Sequence, residues 1–143
     1  MGGTISTRKV NFEDVQHLLN NNRNNFLLIN TLDANEQDCL IRNTIPINNE
    51  ETIINTYLTE NKNVNIVVYD KNANAANLMK KYDQLVTLGF INVFIYPGGL
   101  FEWLCLQDIY GQDNFPTTKT ELDILKFKGR SLFTAYLLED KRN

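Results

Sequence analysis

The chain has little of what most enzyme and metal sites are built from: one histidine and two cysteines among 143 residues. Cys39 and Cys105 stand far apart, with no CxxC pair and no Cys/His spacing, which excludes a zinc ligand set and a disulfide framework. The pair is expected as buried, reduced thiols in a cytoplasmic protein, Cys105 in the core and Cys39 the more exposed. His17, beside Gln16 in an amphipathic pattern, is expected in solvent. An excess of one charge is also missing, since 14 basic residues face 17 acidic ones for a net charge of −3. No nucleic-acid footprint follows from that balance. No apolar run approaches the roughly 20 residues that cross a bilayer, and no charged-then-apolar leader is present. No cofactor or metal is expected.

What the chain does have is asparagine and isoleucine in abundance. Asn20, Asn21, Asn22, Asn24 and Asn25 nearly fill one loop. Both residue types have AT-rich codons, and the interspersed apolar residues keep the chain out of the disordered class. The apolar spacing alternates between short runs and helical stripes. Phe12, Val15, Leu18 and Leu19 predict a helix capped by Asn11. Residues 26–29 read as a buried strand, and Thr44-Ile45-Pro46-Ile47 as a second, short one. Residues 50–59 form a helix with Ile53, Ile54, Tyr57 and Leu58 inward. Residues 64–69 are apolar on both faces, as in a strand of a covered parallel sheet. A helix from about Asn74 to Leu88 carries Ala75, Met79, Tyr82 and Val86 on one stripe and stops at Gly89. Residues 92–96 are the next strand, followed by a helix with Leu100, Phe101, Trp103, Leu104 and Leu106. Strands alternating with helices at this spacing predict an α/β domain with a parallel sheet.

The organisation expected is a tail over residues 1–9, a domain over 10–116 and an extension over 117–143 that packs on the domain or on a partner. Leu132, Phe133, Tyr136 and Leu137 form an apolar cluster in that extension, suited to self-association. At the other end, Gly2 after Met1, with Ser6 four residues on, matches the N-myristoylation pattern. Acylation there would give marginal, reversible membrane binding.

Asp70 stands where strand 64–69 meets the polar loop Lys71-Asn72-Ala73-Asn74. A strand, tight loop and helix in that order point backbone N–H groups at an anion or a reactive side chain. The first loop residue therefore decides the chemistry, and here it is a carboxylate. Its plainest role is to cap the helix it precedes, a contribution of about 0.3–1 kcal/mol. Aspartyl-phosphate chemistry is disfavoured, because no second carboxylate for a metal stands in the loop.

The series Gly89-Phe90, Asn92-Val93-Phe94 and Gly98-Gly99-Leu100-Phe101-Glu102-Trp103 resembles the rhodanese-like (sulfurtransferase) domain. Leu28-Ile29-Asn30 stands where that family reads Leu-Ile-Asp, and residues 41–47 where it has its His-Ile-Pro-Gly-Ala segment. The resemblance spans residues 26–109 and implies a three-layer fold, a mostly parallel five-stranded sheet with helices on both faces. It also places the family's catalytic cysteine at Asp70, its loop Gly and Arg at Ala73 and Ala75, and its first acid and arginine at Asn30 and Leu32. Sulfur transfer needs a thiolate to carry a persulfide, which a carboxylate cannot do.

A non-catalytic rhodanese-like domain, serving as a binding, scaffolding or regulatory module for a protein partner, is therefore expected. Asp70, Lys71, Asn72 and Asn74 would line its cleft, with Ala73 and Ala75 completing the altered loop. Two alternatives stand beside it. One is a sulfurtransferase that uses a displaced Cys39 or Cys105, and the other an adaptor tethered through acylated Gly2.

Overall fold

The computed structural model describes residues 7–21 and 25–133. Gly2, Ser6, Asn22, Asn24, Tyr136 and Leu137 lie outside them. Helix α1 spans Phe12–Asn20 and β1 Phe26–Asn30. Then come α2 (Ile47–Glu60), β2 (Asn65–Tyr69), α3 (Ala76–Leu88), β3 (Val93–Ile95) and α4 (Gly99–Tyr110). Short 3-10 turns lie at Ala34–Glu36 and Ile124–Phe127.

The strands run parallel in the order β1-β2-β3, so β2 is central and buried on both faces. Alternation along the strands divides the core in two. Leu27, Ile29, Ile66 and Val68 point into one cluster with Ile54 of α2 and Leu78, Tyr82 and Leu85 of α3. Leu28, Val67 and Tyr69 point into the other, with Val15 and Leu19 of α1 and Leu100, Trp103 and Leu104 of α4. Helices thus cover both faces. Among the described residues the sheet has three strands, and a single parallel bridge extends each edge, Lys9 to Ile95 and Thr44 to Leu28.

Residues 44–47 do not form the expected strand, and the reason is local. Asn43 adopts a left-handed φ of 69°, and Thr44 N–H donates to Ile41 O at 3.1 Å, closing a turn. Pro46 then precedes the first helical residue, Ile47, so α2 begins three residues earlier than the periodicity suggests. The buried stripe of α3 is also displaced from expectation. Leu78, Tyr82 and Leu85 are buried, while Met79 and Val86 are each 42% exposed. No helix among the described residues is long and apolar enough to cross a membrane.

Asn11 caps α1 with a reciprocal box. Asp14 N–H donates to Asn11 Oδ1, and Asn11 N–H donates to Asp14 Oδ2, both at 3.0 Å. Replacing the cap, Asn11→Ala, is expected to cost about 1 kcal/mol, read as a lower urea midpoint with an unchanged slope.

Candidate functional site

The site lies at the C-terminal ends of β1 and β2, where the chain leaves the sheet. Parallel register pairs Asn30 with Tyr69, so the next residues, Thr31 and Asp70, meet just beyond the sheet. Asp70 is 2% exposed. Its Oδ2 accepts the Thr31 hydroxyl at 2.5 Å, and its Oδ1 accepts the Lys71 N–H at 2.6 Å. Removing either donor would strand a buried carboxylate oxygen at a cost of about 1–3 kcal/mol.

Asp70 does not cap α3, contrary to expectation. The N-cap position belongs to Ala75, which makes no side-chain cap bond. The intervening loop is long enough to close on itself, because Asn74 N–H donates to Asn72 Oδ1 at 2.9 Å. Two loop amides, those of Lys71 and Asn74, are thus taken by side-chain oxygens of the loop itself.

The remaining loop side chains reach in different directions. Lys71 Nζ lies 3.4 Å from Glu36 Oε1. Asn72 Nδ2 donates to Phe127 O at 3.0 Å, bringing the C-terminal segment onto the loop. Ala73 and Asn74 are exposed, and Ala75 is half-buried. Asp70, Lys71, Asn72 and Asn74 are neighbours in the chain without sharing one open surface.

The end of β1 is equally closed. Asn30 is buried and exchanges two amide bonds with Gln37: its Nδ2 donates to Gln37 Oε1 at 3.0 Å, and Gln37 Nε2 donates to Asn30 Oδ1 at 2.7 Å. Leu32 is buried too. Below the site, Tyr69 anchors the 41–44 turn. Ile41 N–H donates to Tyr69 Oη at 3.1 Å, and Thr44 gives its own proton to Ile41 O at 2.6 Å. Tyr69 must therefore be the donor to Thr44 Oγ1 at 2.7 Å. Burial pushes the Tyr69 phenol above its ordinary range, against the two bonds to Thr44 and Ile41.

Helix α4 closes the site from the other side. Its first amides donate to the backbone leaving β2, Leu100 N–H to Asp70 O at 3.0 Å and Phe101 N–H to Lys71 O at 2.9 Å. This approach requires glycine. Gly99 has φ 64°, and a Cβ there would fall 2.3 Å from Asp70 O. Trp103, fully buried, donates Nε1–H to Pro116 O at 3.1 Å and stacks edge-on with Phe115 and Tyr96.

A glycine pair and a tryptophan that dock a helix against a strand-exit loop define a family as well as a site. The rhodanese-like domain model matches residues 12–105, well over half of the chain. The chain belongs to the rhodanese-like domain family. No curated protein matches it. Among solved structures, the BH2092 protein of Bacillus halodurans is similar with a TM-score of 0.59 at 17% identity, covering 92% of this chain and 90% of that one. An As-Sb reductase from Leishmania major gives 0.58 at 18% identity, covering 94% and 99%. Ygr203w, a yeast protein tyrosine phosphatase of the rhodanese family, gives 0.57 at 13% identity, covering 85% and 99%. At these identities the likeness is one of fold.

The thiols of this rhodanese-like domain reverse the expected exposures. Cys39 is buried at 4% exposure, and its Sγ donates to Lys119 O at 3.2 Å; Cys105 is half-buried on α4. The cause is the C-terminal segment, which folds over Cys39. Burial raises both thiols above the ordinary range, and the nearby Asp108 and Glu102 add to it at Cys105. Thr31, Gln37, Glu36 and Phe127, which shape the site, carry no motif of their own. Only Thr31 was within reach of the sequence, through the register of the two strands.

Two outcomes are expected. Gly99→Ala combines backbone strain with a clash and should cost about 2 kcal/mol or more. Gly111→Ala, also at positive φ but with nothing within 4 Å, should lose only strain, about 1 kcal/mol. Denaturant melts of the pair check this. Raised thiol pKa values lower the thiolate fraction at neutral pH. Iodoacetamide should therefore modify both cysteines slowly at pH 7, faster only as pH rises above the ordinary thiol range near about 8.5, and Cys105 before Cys39.

Proposed function

We propose that this chain is a non-catalytic rhodanese-like domain that serves as a binding, scaffolding or regulatory module for a protein partner. The observation that carries it is the side chain at the exit of β2. Asp70 stands at the position that the family resemblance assigns to the nucleophile, and its carboxylate is committed to Thr31 and Lys71 N–H. A carboxylate held this way neither accepts a sulfane sulfur nor releases the Lys71 amide to an anion. Asn30 and Leu32, where the resemblance expects an acid and an arginine, supply no charge to the site. The fold itself hosts enzymes, a phosphatase and a reductase among its neighbours, so this reading rests on residues and not on architecture.

The alternative of a displaced nucleophile is weighed against the thiol geometry. Cys39 is buried beneath Lys119 O, and neither thiol has the lowered pKa that persulfide chemistry favours. Two free thiols suit a reducing compartment, and we assign the protein to the cytoplasm on that basis. A membrane tether would require acylation at Gly2.

A thiosulfate:cyanide assay on the wild-type chain is expected to form no thiocyanate above the protein-free blank. Turnover that disappears in Cys39→Ser or Cys105→Ser would overturn the non-catalytic reading.

A further inference from the structure

Residues 8–10 add a short piece of backbone to the edge of β3, and the function proposed above gives it no role. Val10 N–H donates to Ile95 O at 2.8 Å and Ile95 N–H to Arg8 O at 2.9 Å, with Lys9 in parallel register beside Ile95. Between this edge and α3 lies a cavity of about 430 Å³. Leu78 and Met79 of α3 line it with Ile95, Pro97 and Ala73, and Thr7 and Lys9 face it from the edge. Its size falls in the range of about 300–1,000 Å³ that holds a small ligand. No carboxylate lines it, and Lys9 is exposed, so its ammonium can stay in water while its stem covers apolar surface. Met79 and, two turns further along the same stripe of α3, Val86 are each 42% exposed. The described residues thus leave an apolar stripe at helical spacing without a cover.

Residues 1–6 join the described chain at Thr7, on the cavity itself. Within them Gly2 follows Met1, with Ser6 four residues on, in the N-myristoylation pattern. Once water has cleaved the Met1–Gly2 bond, the Gly2 amine attacks the carbonyl of a myristoyl thioester. An amide forms, the C–S bond breaks, and the amine proton leaves with the thiol. Five residue steps separate Gly2 from Thr7, a span of about 18 Å at most. An acyl chain on Gly2 is therefore tethered within reach of the cavity, and the tether gives it a high effective concentration there.

We propose that Gly2 carries a myristoyl chain and that this chain seats in the cavity between α3 and the edge of β3, covering Met79. With the chain seated, the protein stays off membranes. With it released, one acyl chain gives marginal, reversible attachment, with an association constant of about 10⁴ M⁻¹. The cavity thus governs when the protein meets a bilayer. This stands apart from the binding-module reading, since it uses neither Asp70 nor either thiol.

The test treats the full-length chain, freed of Met1, with a eukaryotic N-myristoyltransferase and myristoyl-CoA. Intact mass is expected to show one added acyl group, and sedimentation with phosphatidylcholine vesicles then reads membrane binding. Met79→Asp places a charge at the cavity on a position exposed enough to keep the fold. Acylated Met79→Asp is expected to bind the vesicles at least about 10-fold more tightly than the acylated wild type. Gly2→Ala, which takes no acyl group, is expected not to bind. Should Met79→Asp lose its cooperative melt, Ala73→Trp, which fills the cavity from the loop, replaces it with the same expectation. An acylated variant that binds no more tightly than acylated wild type overturns the proposal, as does a wild-type chain that the transferase leaves unmodified.

Discussion

Helix α4 comes closer to the backbone leaving β2 than any residue with a side chain at position 99 would allow. Leu100 N–H reaches Asp70 O at 3.0 Å and Phe101 N–H reaches Lys71 O at 2.9 Å only because Gly99 has no Cβ and adopts φ 64°. These bonds place the first turn of α4 directly against the strand-exit loop and settle where that loop runs. They also use N-terminal helix amides that would otherwise be available to an anion. With α4 so placed, Trp103 is fully buried in the core, its Nε1–H holding Pro116 O and its ring meeting Phe115 edge-on. The segment after α4 is thereby led back across the domain, where Arg42 N–H donates to Pro116 O and Thr118 N–H to Leu40 O. The covering of Cys39 and the seating of Phe127 follow from that path.

Polar groups at the site are satisfied in pairs within the domain. Asn30 and Gln37 exchange amide bonds, Thr31 and the Lys71 N–H each donate to one Asp70 oxygen, and Lys71 faces Glu36. Tyr69, Thr44 and Ile41 form a closed set beneath them. A site poised to bind an anion keeps converging donors unspent. Here donors and acceptors are matched before any ligand arrives.

Elements written in local pattern were legible in the sequence. Asn11 announced α1, Gly89 ended α3 in a left-handed conformation, and the doubly apolar run of β2 took the centre of the sheet. Failures arose where local pattern was ambiguous or where distant chain decided. In α3 the adjacent apolar pairs Leu78-Met79 and Leu85-Val86 make two stripes one residue apart equally periodic, and only packing on β2 and β3 chooses Leu78 and Leu85. Thr44-Ile45-Pro46-Ile47 has strand composition, but Tyr69 and Ile41 hold Thr44 in a turn. Cys39 looked exposed because nothing near it in sequence covers it; the covering carbonyl belongs to Lys119. Glu36, Gln37 and Phe127 escaped for the same reason, as their importance comes only from what they meet across the fold.

The separation of backbone from side chain at residue 70 makes the fold independent of what that side chain does. What α4 needs from this position is a carbonyl oxygen, and any residue provides one. The side chain points the other way, to Thr31 and the Lys71 amide. A carboxylate there satisfies local donors without disturbing Leu100, Gly99 or Trp103, so the architecture places almost no demand on the chemistry of that side chain. The reverse does not hold. Bulk at position 99 would push α4 off the loop, release Trp103 from Pro116 and loosen the path that delivers Phe127 to the core. The glycine is required by the fold, whereas the residue at the exit of β2 is free to change with function.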